Sequence, residues 1–427
     1  MSALNRMLPV DIADLLTQVQ QSDQIKIFRM LKKDVAADVF SELPSDFQQD
    51  IINSMKDVDL REFIDLLAMD DTVDMLEEMP ANVVDRILRS VSAPHRKEIN
   101  KFLNYADDSV GGIMTSEFVC ISSHLRASEA VEYIRSTGVD KETVYVIYVT
   151  DRSRHLLGIV ELKDLLFADR EDVIEQIMQS NIVSAYTHDD RETASQLISK
   201  YDLLALPVVD NENRLVGIVT VDDALDVISQ EATEDIEKMS AIVPTDKPYL
   251  KEGVFSTWLK RIPWLLVLML SATFTGSIIT HFESALGNAV ILTAFIPMLM
   301  GSGGNAGGQT STTVIRSLFL DEIGPRNTAR VLWKEFRVSL LCGATLALAA
   351  FAKVMLVDGV GAPIALVVSL SLLATVIVAK LTGALLPILA KLSRLDPAVM
   401  ASPFITTIVD AISLLIYFSI ATRILDI

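Results

Sequence analysis

The chain has 427 residues, 56 of them acidic and 37 basic, for a formal net charge of −19, and it has only two cysteines. Residues 1–253 hold 48 acids and 25 bases while residues 254–427 hold 8 and 12, so an acidic polar half precedes a sparsely charged apolar half. That balance argues against nucleic acid and anionic lipid as partners and favours cations. Cys120 and Cys342 stand too far apart in sequence to suggest a disulfide framework or a thiolate metal site.

Residues 1–16 lack a basic start and a continuous apolar core, so they do not read as a secretory signal, and the acidic half is expected to stay where it is made. Up to about residue 105 the chain has no glycine and carries Leu, Met, Asp and Glu at helical spacing. A 36-residue repeat relates Phe40, Pro44 and Ile51 to Leu76, Pro80 and Ile87, which suits stacked helical hairpins. The prolines are expected in turns or at first helical positions, where a missing N–H is harmless. Asp70, Asp71 and Asp74 are clustered, and Asp70 and Asp74 share a helix face, which makes either a solvated edge or half of a cation site.

From about Gly111 to Ile228 short β-branched runs alternate with helical stretches, again in two copies. Ile113-Met114 and Ile177-Met178 open them, VYVIYV at 144–149 matches ALPVVD at 205–210, and Gly158 and Asp164 lie 59 residues before Gly217 and Asp223. The pattern predicts strand, tight turn, strand, helix, with Asp151 and Asp210 in the turns. These residues resemble a tandem CBS pair, a regulatory module that often binds adenosine nucleotides such as ATP. The family's Gly-x-x-Ser/Thr-x-x-Asp ribose motif is intact as Gly217, Thr220 and Asp223. Glu161 replaces the hydroxyl residue in the first copy, where its charge would repel a phosphate chain.

Residues 229–239 form a helix-compatible run that Pro244 and Pro248 end, with Glu231, Glu234 and Asp235 in one stripe. A solvated helix face is the ordinary reading; the position between regulatory module and membrane suits a gating arm. Apolar windows then run at about 262–280, 286–320, 336–357, 364–389 and 404–422, each near the roughly 20 residues needed to span a bilayer. Lys260 and Arg261, then Arg326, Arg330, Lys334 and Arg337, then Lys391 and Arg394 flank one side, whereas the loops at 281–283 and 358–363 have no Lys or Arg. Positive charge therefore predicts a cytoplasmic acidic half, five spans and an outside C-terminus.

Two intramembrane stretches carry the functional expectation. In the second window, PMLMGSGGNAGGQ at 297–309 is tolerable at membrane depth only against protein or a water-filled cavity, and Gly304 and Gly308 have the spacing of a close helix contact. The last window has one ionisable side chain, Asp410, costly by roughly 2.5–3.5 kcal/mol on insertion scales and so a candidate ion site. Helix glue is the competing role.

These segments, in order, resemble the MgtE family of magnesium channels over essentially the whole chain; the likeness is carried by residues 297–309, by TVDDALDV at 220–227 with EATED at 231–235, and by the Asp410 segment. The resemblance implies a superhelical all-α N-terminal domain (1–107), an α/β tandem CBS pair (108–170 and 171–228), an acidic connecting helix (229–253) and a five-helix pore domain (254–427). It further implies a homodimer in a bacterial inner membrane, not an enzyme, whose second and fifth spans line the pore. Gly301, Gly304, Asn305, Gly308, Ser402 and Thr406 are then pore-lining, and Asp410 holds a hydrated Mg2+. Asp70, Asp74, Glu192, Asp202, Asp223, Asp226, Glu231, Glu234, Asp235 and Asp396 are regulatory Mg2+ ligands that close the pore when the ion is plentiful. Ser402 and Thr406 depart from the asparagine and alanine common in the family.

Lys380 lies mid-span, where a neutral residue is expected. It could pair with Asp410 in competition with a cation; snorkelling or bonding to carbonyls is the favoured expectation. Asp396 also suits an N-cap before Pro397. A cobalt or nickel transporter and a coupled cation transporter are the alternatives. A membrane metalloprotease lacks its clustered ligands, because the histidines at 95, 124, 155, 188 and 281 are scattered. An anion channel is opposed by the mid-span acid.

Overall fold

The structure, a computed structural model, describes residues 4–245, 249–250, 252–282, 287, 290–320, 322–400 and 402–426. Pro248 and Glu283, expected in connections, lie outside the described residues. The chain divides into two units, Met1–Ser229 and Gln230–Ile427.

The first unit opens with helices α1 (Pro9–Gln18), α2 (Gln21–Phe28), α3 (Lys33–Ser41), α4 (Ser45–Ser54), α5 (Asp57–Ile64), α6 (Met69–Glu78), α7 (Ala81–Ser90) and α8 (Ala93–Phe102). They pack as alternate neighbours, α1 on α3, α2 on α4, α4 on α6, α5 on α7 and α6 on α8, which is the stacking that the repeat predicts. Phe40, Ile51, Leu76 and Ile87 are buried at equivalent places. Pro44 and Pro80 each stand as the extended residue just before a helix, α4 and α7; each carbonyl accepts from the incoming turn, and the missing N–H goes unnoticed.

The CBS pair forms two three-stranded sheets: β1 (Phe118–Ser122), β2 (Thr143–Thr150) and β3 (Leu156–Glu161), then β4 (Ala185–Tyr186), β5 (Ala205–Val209) and β6 (Leu215–Thr220). In each, the first pair is parallel and the second antiparallel. Helix α9 (Ala127–Thr137) makes the crossover of the first sheet and α12 (Arg191–Tyr201) that of the second; α10 (Leu162–Phe167) and α11 (Ile174–Ile177) lie between them. Asp151 Oδ1 accepts from the backbone of Ser153 and His155 at 2.8 and 2.9 Å, and Asp210 Oδ1 accepts from Glu212 and Arg214 at 2.9 Å each, so both expected turns are held by an aspartate. The copies exchange their opening segments. A Cβ at Gly217 would stand 2.5 Å from Met114 Sδ, and one at Gly158 would stand 2.7 Å from Met178 Sδ. Thr115 bridges Ile218 and Gln179 bridges Ile159, which explains why the Ile-Met pairs repeat.

Helix α13 (Val221–Met239) runs unbroken from the end of the second repeat. It ends before Pro244, with Ala241 left-handed (φ 56°) and Ile242 N–H donating to the Glu237 carbonyl. Five helices among the described residues are long and apolar enough to cross a membrane. They are α14 (Val254–His281), α15 (Ile296–Phe319), α16 (Thr328–Leu356), α17 (Ala362–Leu392) and α18 (Ser402–Leu425). The third begins eight residues before its apolar window, because Lys334, Glu335 and Arg337 are helical and hydropathy does not see them. The second begins after a 3-10 stretch, Val290–Phe295.

Helix α17 packs on α15, α16 and α18. The approach to α15 is very close: a Cβ at Gly383 would stand 2.4 Å from the Gly307 carbonyl oxygen, and one at Gly307 would stand 2.8 Å from Ile405 Cγ2 of α18. Gly303 fits against Thr375 and Val409, with a virtual Cβ at 2.7 and 2.9 Å. The close seam is thus Gly303/Gly307, one residue before the expected Gly304/Gly308 pair. A Gly383→Ala variant would meet backbone, which cannot swing aside. We expect it to cost about 1–3 kcal/mol of overpacking against a helix-propensity gain of up to about 1 kcal/mol. Thermal unfolding of the detergent-solubilised protein should show a clear loss, whereas Gly276→Ala, with nothing within 4 Å, should lose nothing.

Candidate functional site

Helix α18 carries Asp410 one turn beyond Thr406. Helical spacing puts the two on one face, and Thr406 Cγ2 lies against Gly304, where a Cβ would be 2.9 Å away. Gly304 and Thr406 are therefore brought together in the α15–α18 seam. Gly301 and Asn305 are exposed along α15, Gly308 is half-buried, and the Ser402 side chain lies outside the described residues. Asp410 is half-buried, and among the described residues no basic group or hydrogen-bond donor reaches its carboxylate.

Lys380 does not pair with Asp410, nor does it bond carbonyls or snorkel. The residue is buried, 6 % exposed; its ammonium donates to Thr310 Oγ1 of α15 at 3.1 Å and lies 3.9 Å from Glu335 Oε2 of α16. Thr310 Oγ1 in turn donates to Glu335 Oε2 at 3.0 Å. A buried ammonium takes the nearest carboxylate, and Glu335 was concealed from sequence reading by its basic neighbours.

In the first unit, α6 and the start of α13 contribute an acidic wall. Burial, then the Glu142 carboxylate, push Asp70 up to about 7; burial, then Asp70 and Asp74, push Asp71 up to about 8. Asp74 and Asp223 are pushed up to about 7, again by burial first, with Glu77 and Asp223 raising Asp74 and Asp70 raising Asp223. The Asp74 side chain is exposed, so its shift reflects a crowded acidic rim more than true burial, and Asp70, with a buried Oδ1 lacking a hydrogen-bond partner, defines the wall better. Glu142 escaped the sequence reading, and Asp71, named there in the cluster with Asp70 and Asp74, was left out of the regulatory ligand set. Asp226 belongs elsewhere, beside Glu42, whose carboxyl is raised by burial and then by Asp226 and Asp14. Asp202 is the exposed left-handed cap of α12 (φ 52°), and Glu192 accepts from Gln196 at 2.9 Å. No three acidic, His or Cys side chains converge as direct metal ligands among the described residues.

In the second unit, Glu234 and Asp396 meet on a cation already in the chain. Lys238 Nζ lies 2.6 Å from Glu234 and 2.8 Å from Asp396. Burial would lower this ammonium, but the two bonds outweigh it and raise it. Asp396 Oδ1 also accepts from Ala398 N–H at 2.8 Å, the expected cap. Glu231 and Asp235 lie on the same helix, and both make contacts of their own. In the second CBS copy Thr220 Oγ1 donates to Asp223 Oδ2 at 2.5 Å, and Gly217 is covered by Met114.

A family profile described as "Divalent cation transporter" matches residues 296–420, one described as "MgtE intracellular N domain" matches 7–108, and the CBS domain profile matches 110–171 and 174–230. A magnesium transporter MgtE from Thermus thermophilus is 37 % identical over 99 % of this chain and 94 % of its own length. One from Bacillus subtilis is 34 % identical over 99 % of this chain and 93 % of its own. Among solved structures, the cytosolic domain of the Mg2+ channel MgtE in complex with ATP is similar with a TM-score of 0.51 at 34 % identity, over 53 % of this chain and 92 % of that one.

The raised carboxyls set a pH dependence. Each binds a proton more tightly when folded than when unfolded, near its ordinary value of 3.8, so stability falls as pH rises between the two values. With divalent ions absent, hydrogen-exchange protection at residues 69–78 and 221–227, corrected for the intrinsic rise of exchange with pH, should fall from about pH 5 to about pH 8. Mg2+ should raise it more at pH 8 than at pH 6, and Asp71→Asn should flatten the slope.

Proposed function

Because the chain belongs to the MgtE family, we propose that it carries Mg2+ across a membrane through a path on which Asp410 is the ion site. The observation that carries this reading is an acid at membrane depth without a protein partner among the described residues, beside a helix whose glycines admit close packing. Mg2+ prefers oxygen ligands and gives up its water reluctantly, so one carboxylate facing a hydrated ion is a sufficient first contact. No chemical step is involved, in keeping with relatives named as transporters rather than enzymes. Asn305 and Gly301, exposed on the single chain, are the surface that a second copy would cover to complete a dimeric pore.

Regulation is read from the acidic wall. Asp70, Asp71, Asp74, Asp223 and Glu142 repel one another, and a hydrated Mg2+ among them would relieve the repulsion without a closed set of direct ligands. Asp226 with Glu42, and the acids of the connecting helix, extend the same logic; plentiful Mg2+ holds the cytoplasmic parts together and closes the pore. The domain division at 107, 170, 228 and 253 and the inward orientation of the acidic half belong to this proposal. So does an adenosine nucleotide in the second CBS copy, where Thr220 orients Asp223 towards a ribose; with Asp70 and Asp222 nearby, its phosphates would need a cation.

Two experiments test the reading. Asp410→Ala should reduce Mg2+ flux into liposomes by at least about tenfold while the protein still inserts, and undiminished flux removes the site. Asp223→Asn with Asp226→Asn should leave flux that resists closure by millimolar Mg2+; unaltered closure places the sensor elsewhere. Parallel flux of Co2+ and Ni2+ decides between Mg2+ and the other divalent ions.

A further inference from the structure

We propose that Lys380, Thr310 and Glu335 form a charge-neutral clamp across three membrane helices that sets the register of α15 against α18, making Lys380 a positioning residue for conduction past Asp410. The inference rests on the reading of Asp410 as the ion site. A lone charge inside hydrocarbon is costly and persists where it is paired and hydrogen-bonded. Here the ammonium of Lys380, a residue 6 % exposed, and a carboxylate whose side chain is 14 % exposed share the hydroxyl of Thr310, a residue 2 % exposed, at 3.1 and 3.0 Å. Each of the three side chains makes at least one hydrogen bond within the cluster.

The location gives the clamp its consequence. Thr310 stands three residues after Gly307, and Lys380 three before Gly383, so the clamp closes the same seam that the glycines open. Glycine contacts are smooth and weakly directional; they let α15 approach α17 and α18 but do not fix how far it slides or turns. A hydroxyl held between two opposite charges is directional and fixes the rotation of α15 at Thr310. Rotation at Thr310 carries Gly304 with it, two turns away, and Gly304 is the residue that touches Thr406 beside Asp410. Buried ion pairs are poor sources of stability and better attested as devices of register, which makes the two roles separable by experiment.

The test is a double-mutant cycle on the full-length protein in liposomes, reading Mg2+ flux against Mg2+ concentration, with Asp410→Ala run alongside. Lys380→Met and Glu335→Gln each leave one buried charge alone and should cut maximal flux at least about tenfold. The double variant leaves none; it should insert and melt close to the wild type, yet its half-saturating Mg2+ concentration should shift at least about fivefold. A double variant with wild-type saturation overturns the clamp as a positioning device and leaves it as packing. So do single variants that conduct normally. In either case an inactive Asp410→Ala keeps the site reading intact, whereas an active Asp410→Ala overturns that reading, and the clamp's role with it.

Discussion

The contact between Gly307 and Gly383 governs the membrane half. With 2.4 Å between the Gly307 oxygen and the place of a Gly383 Cβ, no other residue permits α15 and α17 to lie as they do. In hydrocarbon there is no hydrophobic force to press helices together, so association depends on dispersion at close range and on internal polar bonds. The glycines supply the first and the Lys380 cluster the second. The neighbouring fits, Gly303 on Val409 and Gly304 on Thr406, bring α18 comparably close on the adjoining side of α15.

The first unit is held by a different balance. The N-terminal helices bury a continuous apolar core that includes a cluster of Phe28, Phe40 and Phe63, with ring centroids 5.0 to 6.3 Å apart. Against this stands an acidic wall whose members raise one another's affinity for protons. The repulsion within such a surface is relieved by protons or by cations. In the second unit a similar demand is met by the chain's own cation, the Lys238 ammonium that sits in salt bridges to Glu234 and Asp396.

Much of the architecture could be read from the residues because it is periodic. The 36-residue spacing of Phe40 and Leu76, the 59-residue spacing of Gly158 and Gly217, and the apolar windows each report a local geometry that repeats. Asp410 was legible as a single acid in an apolar run. Glu335 was not, since Lys334 and Arg337 make its neighbourhood look like a loop; only the packing of α16 on α17 shows that it faces inward to Lys380. Glu142 was missed for a similar reason, as its membership depends on which faces of separate elements meet, whereas Asp71 was already visible beside Asp70 and Asp74 on one helix. Lys238 did leave a signal, four residues after Glu234 on one helix, but its second partner lies 158 residues away.

The exchanged methionines of the CBS pair bear on how the two copies have come to differ. Met114 rests on the glycine of the other copy and Met178 returns the gesture, so neither half can drift at those four places without spoiling its twin. Divergence is channelled to sites outside the swap, and Glu161 opposite Thr220 is such a site. A repeat locked in this way can carry different surface chemistry in its two halves while the scaffold that joins them stays the same.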